Sequence, residues 1–182
     1  MNKQMFENAV LAILRFAPEL GGTKLRKALC IADAVHTSLH KQSITGCKYI
    51  KGQYGTIPEY EGYQLLLNML ESGTIEIRKK PSGNHFEDSY TATQSPEDSL
   101  LSQSQLDILK YAAELVATLT AKELSEKTHD AVYHSVNMGE EIPLDKICVP
   151  RIVEDSSPFT EQMRNDARKY FESNANCVLA NS

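Results

Sequence analysis

Residues 23–40 read TKLRKALCIADAVHTSLH. Leu25, Ala28, Leu29, Ala32, Val35 and Leu39 recur at spacings of three and four, the period of an α-helix with one apolar face. Thr23 is a residue type that caps helices, and Lys24, Lys27 and Lys41 fall mainly outside the stripe. Upstream, Phe6, Ala9, Val10, Ile13 and Leu14 give residues 5–17 the same pattern, which Pro18 and the Gly21-Gly22 pair bring to an end. Downstream, ITGCKYIKGQYGTIP changes character: β-formers alternate with Gly46, Gly52 and Gly55, predicting a short strand around Tyr49 and then a glycine-shaped loop. Pro58 is suited to open the next helix, with Glu59 and Glu61 where the helix dipole favours acids. Tyr63, Leu66, Leu67 and Leu70 form its expected buried face, and Gly73 its stop.

The period then switches from helical to two. Ile75 and Ile77 alternate with Glu76 and Arg78, Pro81-Ser82-Gly83-Asn84 supplies a turn, and Phe86–Thr93 returns, which predicts a β-hairpin. Ser102 and Gln105, then Thr120 and Glu123, have capping-box spacing. The first box opens a helix with Leu109, Ala112, Val116 and Leu119 on one face; the second opens another running toward Tyr133 and Val136, closed by Gly139. A short extended segment is expected from Ile142 to Val149. The fold class is therefore α+β: one mainly helical domain over residues 1–147, with a small antiparallel hairpin and winged-helix-like elements. Residues 148–182 follow as a linker, Pro150–Pro158, and an amphipathic helix capped by Thr160 with Met163, Ala167, Tyr170 and Phe171 on one side.

A net charge of −5 disfavours a whole-surface grip on nucleic acid, which needs clustered Lys and Arg. Arg78-Lys79-Lys80, placed at the hairpin tip, leaves local DNA contact open. Cys30, Cys47, Cys148 and Cys177 include no C-x-x-C, so zinc ribbons and dithiol redox motifs lose support. Cys30 falls on the apolar stripe as a buried thiol. No stretch has the length of a membrane span, and the N-terminus lacks the features of a signal peptide, so the chain is expected in the cytoplasm.

Phosphate-binding glycine loops, G-x-S-x-G and H-E-x-x-H are all absent, and no cofactor is expected. His36 and His40 share a helix face without an obvious third metal ligand. Asp33 and His36, three apart, are either general-base equipment or a structural pair; as a structural pair they should lie near the Tyr54-Gly55 loop and bond within it. The segment from Lys48 to Pro58 combines tyrosines and glycines, as in a structural turn or in an interaction surface.

The order of these residues resembles the Panacea domain of SocA-like antitoxins. Lys24, Leu25 and Lys27 match its helix start; Ala32, Asp33 and His36 its helix; Ile44, Thr45 and Gly46 its turn. Tyr49 matches its strand, and Tyr54, Gly55, Ile57 and Pro58 its loop. Leu124, Ser125, Thr128 and His129 match a second block. Thr56 stands where that loop usually has Pro, and Tyr133 near where Trp is usual. The resemblance implies a non-enzymatic antitoxin that binds and neutralises a toxin encoded beside it, often in prophage or mobile regions. Alternatives are an adaptor that delivers a toxin to a ClpXP-type protease, a winged-helix DNA-binding regulator, and an enzyme using Asp33, His36 and His129. Tyr49, Tyr54, Gly55, Ile57, Pro58 and Tyr60 are the candidate toxin contacts. Lys24, Leu25, Lys27, Asp33, His36, Gly46, Leu124, Ser125 and His129 are expected to be structural.

Overall fold

The structure, a computed structural model, describes residues 1–82 and 85–147. The expected linker and C-terminal amphipathic helix lie outside the described residues. Helix α1 (Lys3–Phe16) buries Phe6, Ala9, Val10, Ile13 and Leu14 as its period requires. After Pro18 the chain forms a two-residue strand, β1 (Leu20–Gly21), and enters α2 (Gly22–His40) directly. Gly21, not Thr23, is the N-cap of α2. Thr23 lies inside the first turn, where its hydroxyl accepts from Arg26.

The apolar stripe of α2 is buried, but so is most of its circumference. Cys30, Ile31, Asp33, Ala34, His36, Thr37 and Ser38 join Leu25, Ala28, Leu29, Ala32 and Val35 inside. A helix buried on all sides is the centre of a domain rather than one of its walls, and α2 packs against α1 and α4 (Gln103–Thr118). Lys27, expected outside the stripe, is only 3% exposed.

The segment after α2 contains two strands rather than one. β2 (Tyr49–Gly52) and β3 (Gly55–Pro58) pair as a hairpin whose turn is Gln53 and Tyr54. Pro58 therefore closes a strand and does not open the helix. Glu59 is the N-cap of α3 (Tyr60–Glu71). That shift rotates the helix: Gly62, Leu65, Leu66 and Met69 face inward, and Tyr63 is 45% exposed.

β4 (Ile75–Ser82) and β5 (His85–Ala92) form the expected hairpin, with β1 added on the far edge of β5 in the order β1-β5-β4. Helix, short strand, two helices and a hairpin that pairs back onto the short strand make a winged-helix-like arrangement, here interrupted by β2 and β3. Arg78, Lys79 and Lys80 sit within β4 rather than at the tip. Lys79 pairs with Asp88, Lys80 Nζ lies 3.2 Å from Glu19 Oε2, and Arg78 reaches Glu76.

Both capping boxes form, at Ser102/Gln105 and Thr120/Glu123. The helix expected from residue 121 toward 136 is two helices, α5 (Ala121–Thr128) and α6 (Ala131–Ser135). The break falls where the Asp130 carboxylate accepts from the Tyr133 N–H and caps α6. A side chain of this type offers the backbone an alternative to helix continuation. Beyond Gly139, Glu141 bridges to Ile50 and the Ile142 N–H donates to the Tyr49 carbonyl. The extended segment is then cut short by a 3₁₀ turn, Leu144–Lys146. No helix among the described residues is long and apolar enough to cross a membrane.

Candidate functional site

Two buried polar clusters flank the β2–β3 hairpin, and both are rooted in α2. The first is centred on Asp33, which is fully buried. One carboxylate oxygen accepts the N–H groups of Ile44 at 2.8 Å and Thr45 at 3.0 Å. The other accepts the hydroxyls of Thr45 and Tyr49, the latter at 2.7 Å. Burial pushes the Asp33 carboxyl above its usual range, and these four donors oppose the shift. Ionised, the carboxylate offers acceptors alone, so four donors suit it.

His36 does not bond to Asp33. Its Nδ1 lies 2.6 Å from the Gln42 carbonyl, which places the proton on Nδ1, and burial lowers its pKa. Both side chains therefore brace the 42–49 segment, one strand earlier than the Tyr54-Gly55 loop expected for them. Gly46 lies in that segment, with the Asn2 N–H donating to Thr45 beside it. Cys30 and Cys47 border the cluster as free buried thiols, and burial raises the Cys47 pKa to about 12. The His40 ring lies against that of His36, tilted by 45° with centroids 4.5 Å apart. No group of three ligand-type side chains able to hold a metal occurs among the described residues.

The second cluster joins parts of the sequence about a hundred residues apart. Lys27 Nζ donates to Ser125 Oγ and Thr128 Oγ1, each at 3.1 Å. Leu124, fully buried beside Ser125, fixes α5 to the core. His129 follows, stacked on Tyr133 with centroids 3.9 Å apart and planes 3° from parallel. Lys51 lies over the Tyr133 ring and donates to the Val136 carbonyl. Desolvation, followed by the nearby Lys27 charge, lowers the His129 pKa to about 4. Desolvation lowers Lys27 to about 8.

Gly55 closes this cluster. Its φ is +117°, and a Cβ there would meet Lys27 Cε at 2.9 Å and His129 Nε2 at 3.3 Å. The hairpin tip thus rests with bare backbone on Lys27 and His129. Next to it opens a groove of about 890 Å³, between the start of α2, the hairpin tip, β5 and α5. Tyr54, 73% exposed, stands at its rim; Lys27, Ser125 and His129 line its floor.

The candidate contact residues separate accordingly. Tyr49 is completely buried against Asp33 and presents nothing to a partner. Gly55 and Pro58 are buried, and Ile57 is half-buried opposite Ile50. Tyr54 and Tyr60, the latter 76% exposed, stand at opposite ends of β3. Lys24 donates to the Ala117 carbonyl at 3.3 Å, and Leu25 is core. Lys51 joins the second cluster without any signal in local sequence spacing, whereas Tyr133, near where the resemblance has Trp, stacks there on His129.

A lysine within hydrogen-bond reach of a serine can serve as a base when it is neutral. Burial lowers the Lys27 pKa to about 8, which is still above neutrality, so the side chain is mainly ammonium at pH 7. The arrangement is that of a donor to hydroxyls, suited to holding groups in place.

No curated protein and no solved structure matches the chain. A family model does: "Antitoxin SocA-like, Panacea domain" matches residues 25–132, more than half of the chain. That span includes Lys27, the Asp33 cluster, the hairpin and His129, and the chain belongs to the SocA-like antitoxin family with its Panacea domain.

Proposed function

We propose that this chain is the antitoxin of a toxin–antitoxin pair and neutralises its toxin by direct binding, with the β2–β3 tip and the adjoining groove as the contact surface. Membership of the SocA-like antitoxin family carries the reading. The geometry of the hairpin supports the choice of surface. Tyr54 is a large aromatic held outside on a short, braced turn, and a tyrosine of this kind adds contact area at low entropic cost. The basic run on β4 sits among Glu76, Asp88 and Glu19, which lowers the net positive charge that face offers to DNA phosphates.

The test is co-expression with the protein encoded beside it. Wild type should restore growth at about equimolar amounts. Tyr54→Ala, shown folded by its melting temperature, should need about tenfold or more expression, as for an interface anchor. Rescue far below equimolar amounts, with no protease present, would reject neutralisation by occupancy. Full rescue by folded Tyr54→Ala would remove the hairpin tip from the interface.

A further inference from the structure

We infer that the groove seats a carboxylate of the bound partner, carried on an extended acidic segment, with Lys27 and His129 as its two donors. The inference rests on the antitoxin reading and adds the chemistry of the contact. Lys27 carries an ammonium that is almost wholly buried, yet its partners among the described residues are two neutral hydroxyls. An ammonium has three N–H donors, so one remains. His129 Nε2 is buried without a hydrogen-bond partner. Nζ and Nε2 both lie within 3.5 Å of the point where a Cβ of Gly55 would stand, and both residues line the groove.

Charge around the groove is asymmetric. On the β5 side, Glu19 pairs with Lys80, Asp88 with Lys79, and Glu87 stands opposite Lys80 in the strand register. On the α2 side, among the described residues, Lys24 reaches only the Ala117 carbonyl and Lys27 has no carboxylate partner. The first turn of α2 carries no acidic residue and no side-chain cap. A buried cation without a counter-charge is costly, and an incoming anion relieves that cost. One ammonium N–H and, with the single proton of the neutral His129 ring on Nε2, one imidazole N–H match the two oxygens and single charge of a carboxylate. A phosphate has three oxygens and nearly twice the charge, and would leave acceptors unmet. The volume of the groove is in the range of ligand sites, large enough for the residues on either side of the acid. Tyr54 at the rim then packs along that segment.

The test uses the isolated full chain, titrated by NMR with sodium acetate, inorganic phosphate and sodium chloride at constant ionic strength. Acetate should produce saturable millimolar shifts of the His129 ring and of the Gly55 and Ser125 amides, and chloride none. Lys27→Met should abolish them. Should that variant fail to fold, His129→Gln, read at the two amides, should weaken acetate binding at least fivefold. Absence of saturable acetate shifts overturns the inference. So do unchanged shifts in the folded variants, or phosphate saturating at lower concentration than acetate. Because the titration needs no toxin, its failure leaves the antitoxin reading standing. A wild type that binds acetate but never rescues growth removes that reading alone. Where wild type does rescue, undiminished rescue by folded Lys27→Met overturns the carboxylate contact.

Discussion

Replacing Asp33 by alanine removes the acceptor of four donors at once. Two are backbone N–H groups, of Ile44 and Thr45, and two are the hydroxyls of Thr45 and Tyr49. All lie in the interior, where an unsatisfied donor costs about 1–3 kcal/mol. The costs do not add fully, because the Thr45 hydroxyl can rotate and the desolvated charge disappears with the side chain. The net loss expected is about 3–5 kcal/mol, the range for breaking a buried charged network from one side. For a chain of 182 residues that is a fall in melting temperature of about 6–20 °C. Asp33→Asn should cost less, about 1–2 kcal/mol. Its Oδ1 still accepts both N–H groups, and its Nδ2 donates to the two hydroxyls once they turn into acceptors. Urea unfolding followed by far-ultraviolet circular dichroism measures each value. Tyr49→Phe should cost less in the Asp33→Ala background than in wild type, since its hydroxyl has already lost its partner. An alanine variant within 1 kcal/mol of wild type, or an asparagine variant as damaged as the alanine one, would refute this account of the cluster.

Gly55→Ala should destabilise by about 2–4 kcal/mol, combining a strained backbone with the contact on Lys27 and His129. Gly73→Ala, at φ +72° with nothing within 4 Å, should cost only about 1–2 kcal/mol, and paired melting curves compare the two. His129 has a folded pKa of about 4 against an ordinary 6.5, so the unfolded chain binds more protons between those values. Its stabilising contribution is full above pH 6.5 and is lost as pH falls toward 4. Solvent screening of this half-exposed ring reduces the loss to about 1–2 kcal/mol, and His129→Gln should flatten that part of the pH–stability curve. Cys30 and Cys47, buried and with raised pKa values, should resist iodoacetamide at pH 8 in the folded chain and react in urea, as peptide mass mapping would read.

What sequence made legible were the elements fixed by local rules. The α1 and α2 stripes, both capping boxes and the β4–β5 hairpin depend on spacings of two, three or four residues, and all are in the structure, although only Ile75 of the alternating β4 isoleucines is buried and Ile77 is 42% exposed. Expectation and structure part where tertiary context overrides a local signal. Pro58 suits a helix start, but strand pairing with Tyr49 claimed it. Residues 121–136 have a continuous helical period, but Asp130 capped a new helix. Lys27 falls mainly outside the apolar stripe of its own helix, and nothing local announces that Ser125 and Thr128 will receive its ammonium. The two blocks that carry the family resemblance lie about a hundred residues apart in the chain. Their meeting through Lys27, Gly55 and His129 required the fold.

That meeting explains how one helix can present a loop. Asp33 holds the beginning of the hairpin, through Ile44, Thr45 and Tyr49. Lys27, two turns earlier on α2, supports its tip beneath Gly55, together with His129. The hairpin is therefore staked at both ends to a helix that is itself buried on all sides. Buried charges are an expensive way to attach a loop, and hydrophobic residues of similar volume would often be as stable. What they add is a defined position: a carboxylate with four directed donors and an ammonium with directed hydroxyls do not slide. Tyr54, on the turn between those two anchors, is held out with little backbone freedom left to lose. Ordering of loops is one of the principal costs of association, and here that cost falls in folding, before any partner arrives. The same two anchors make the surface fragile in a particular way. Loss of Asp33 should weaken the fold first and binding with it, whereas loss of the Tyr54 side chain should leave the fold intact and weaken binding alone.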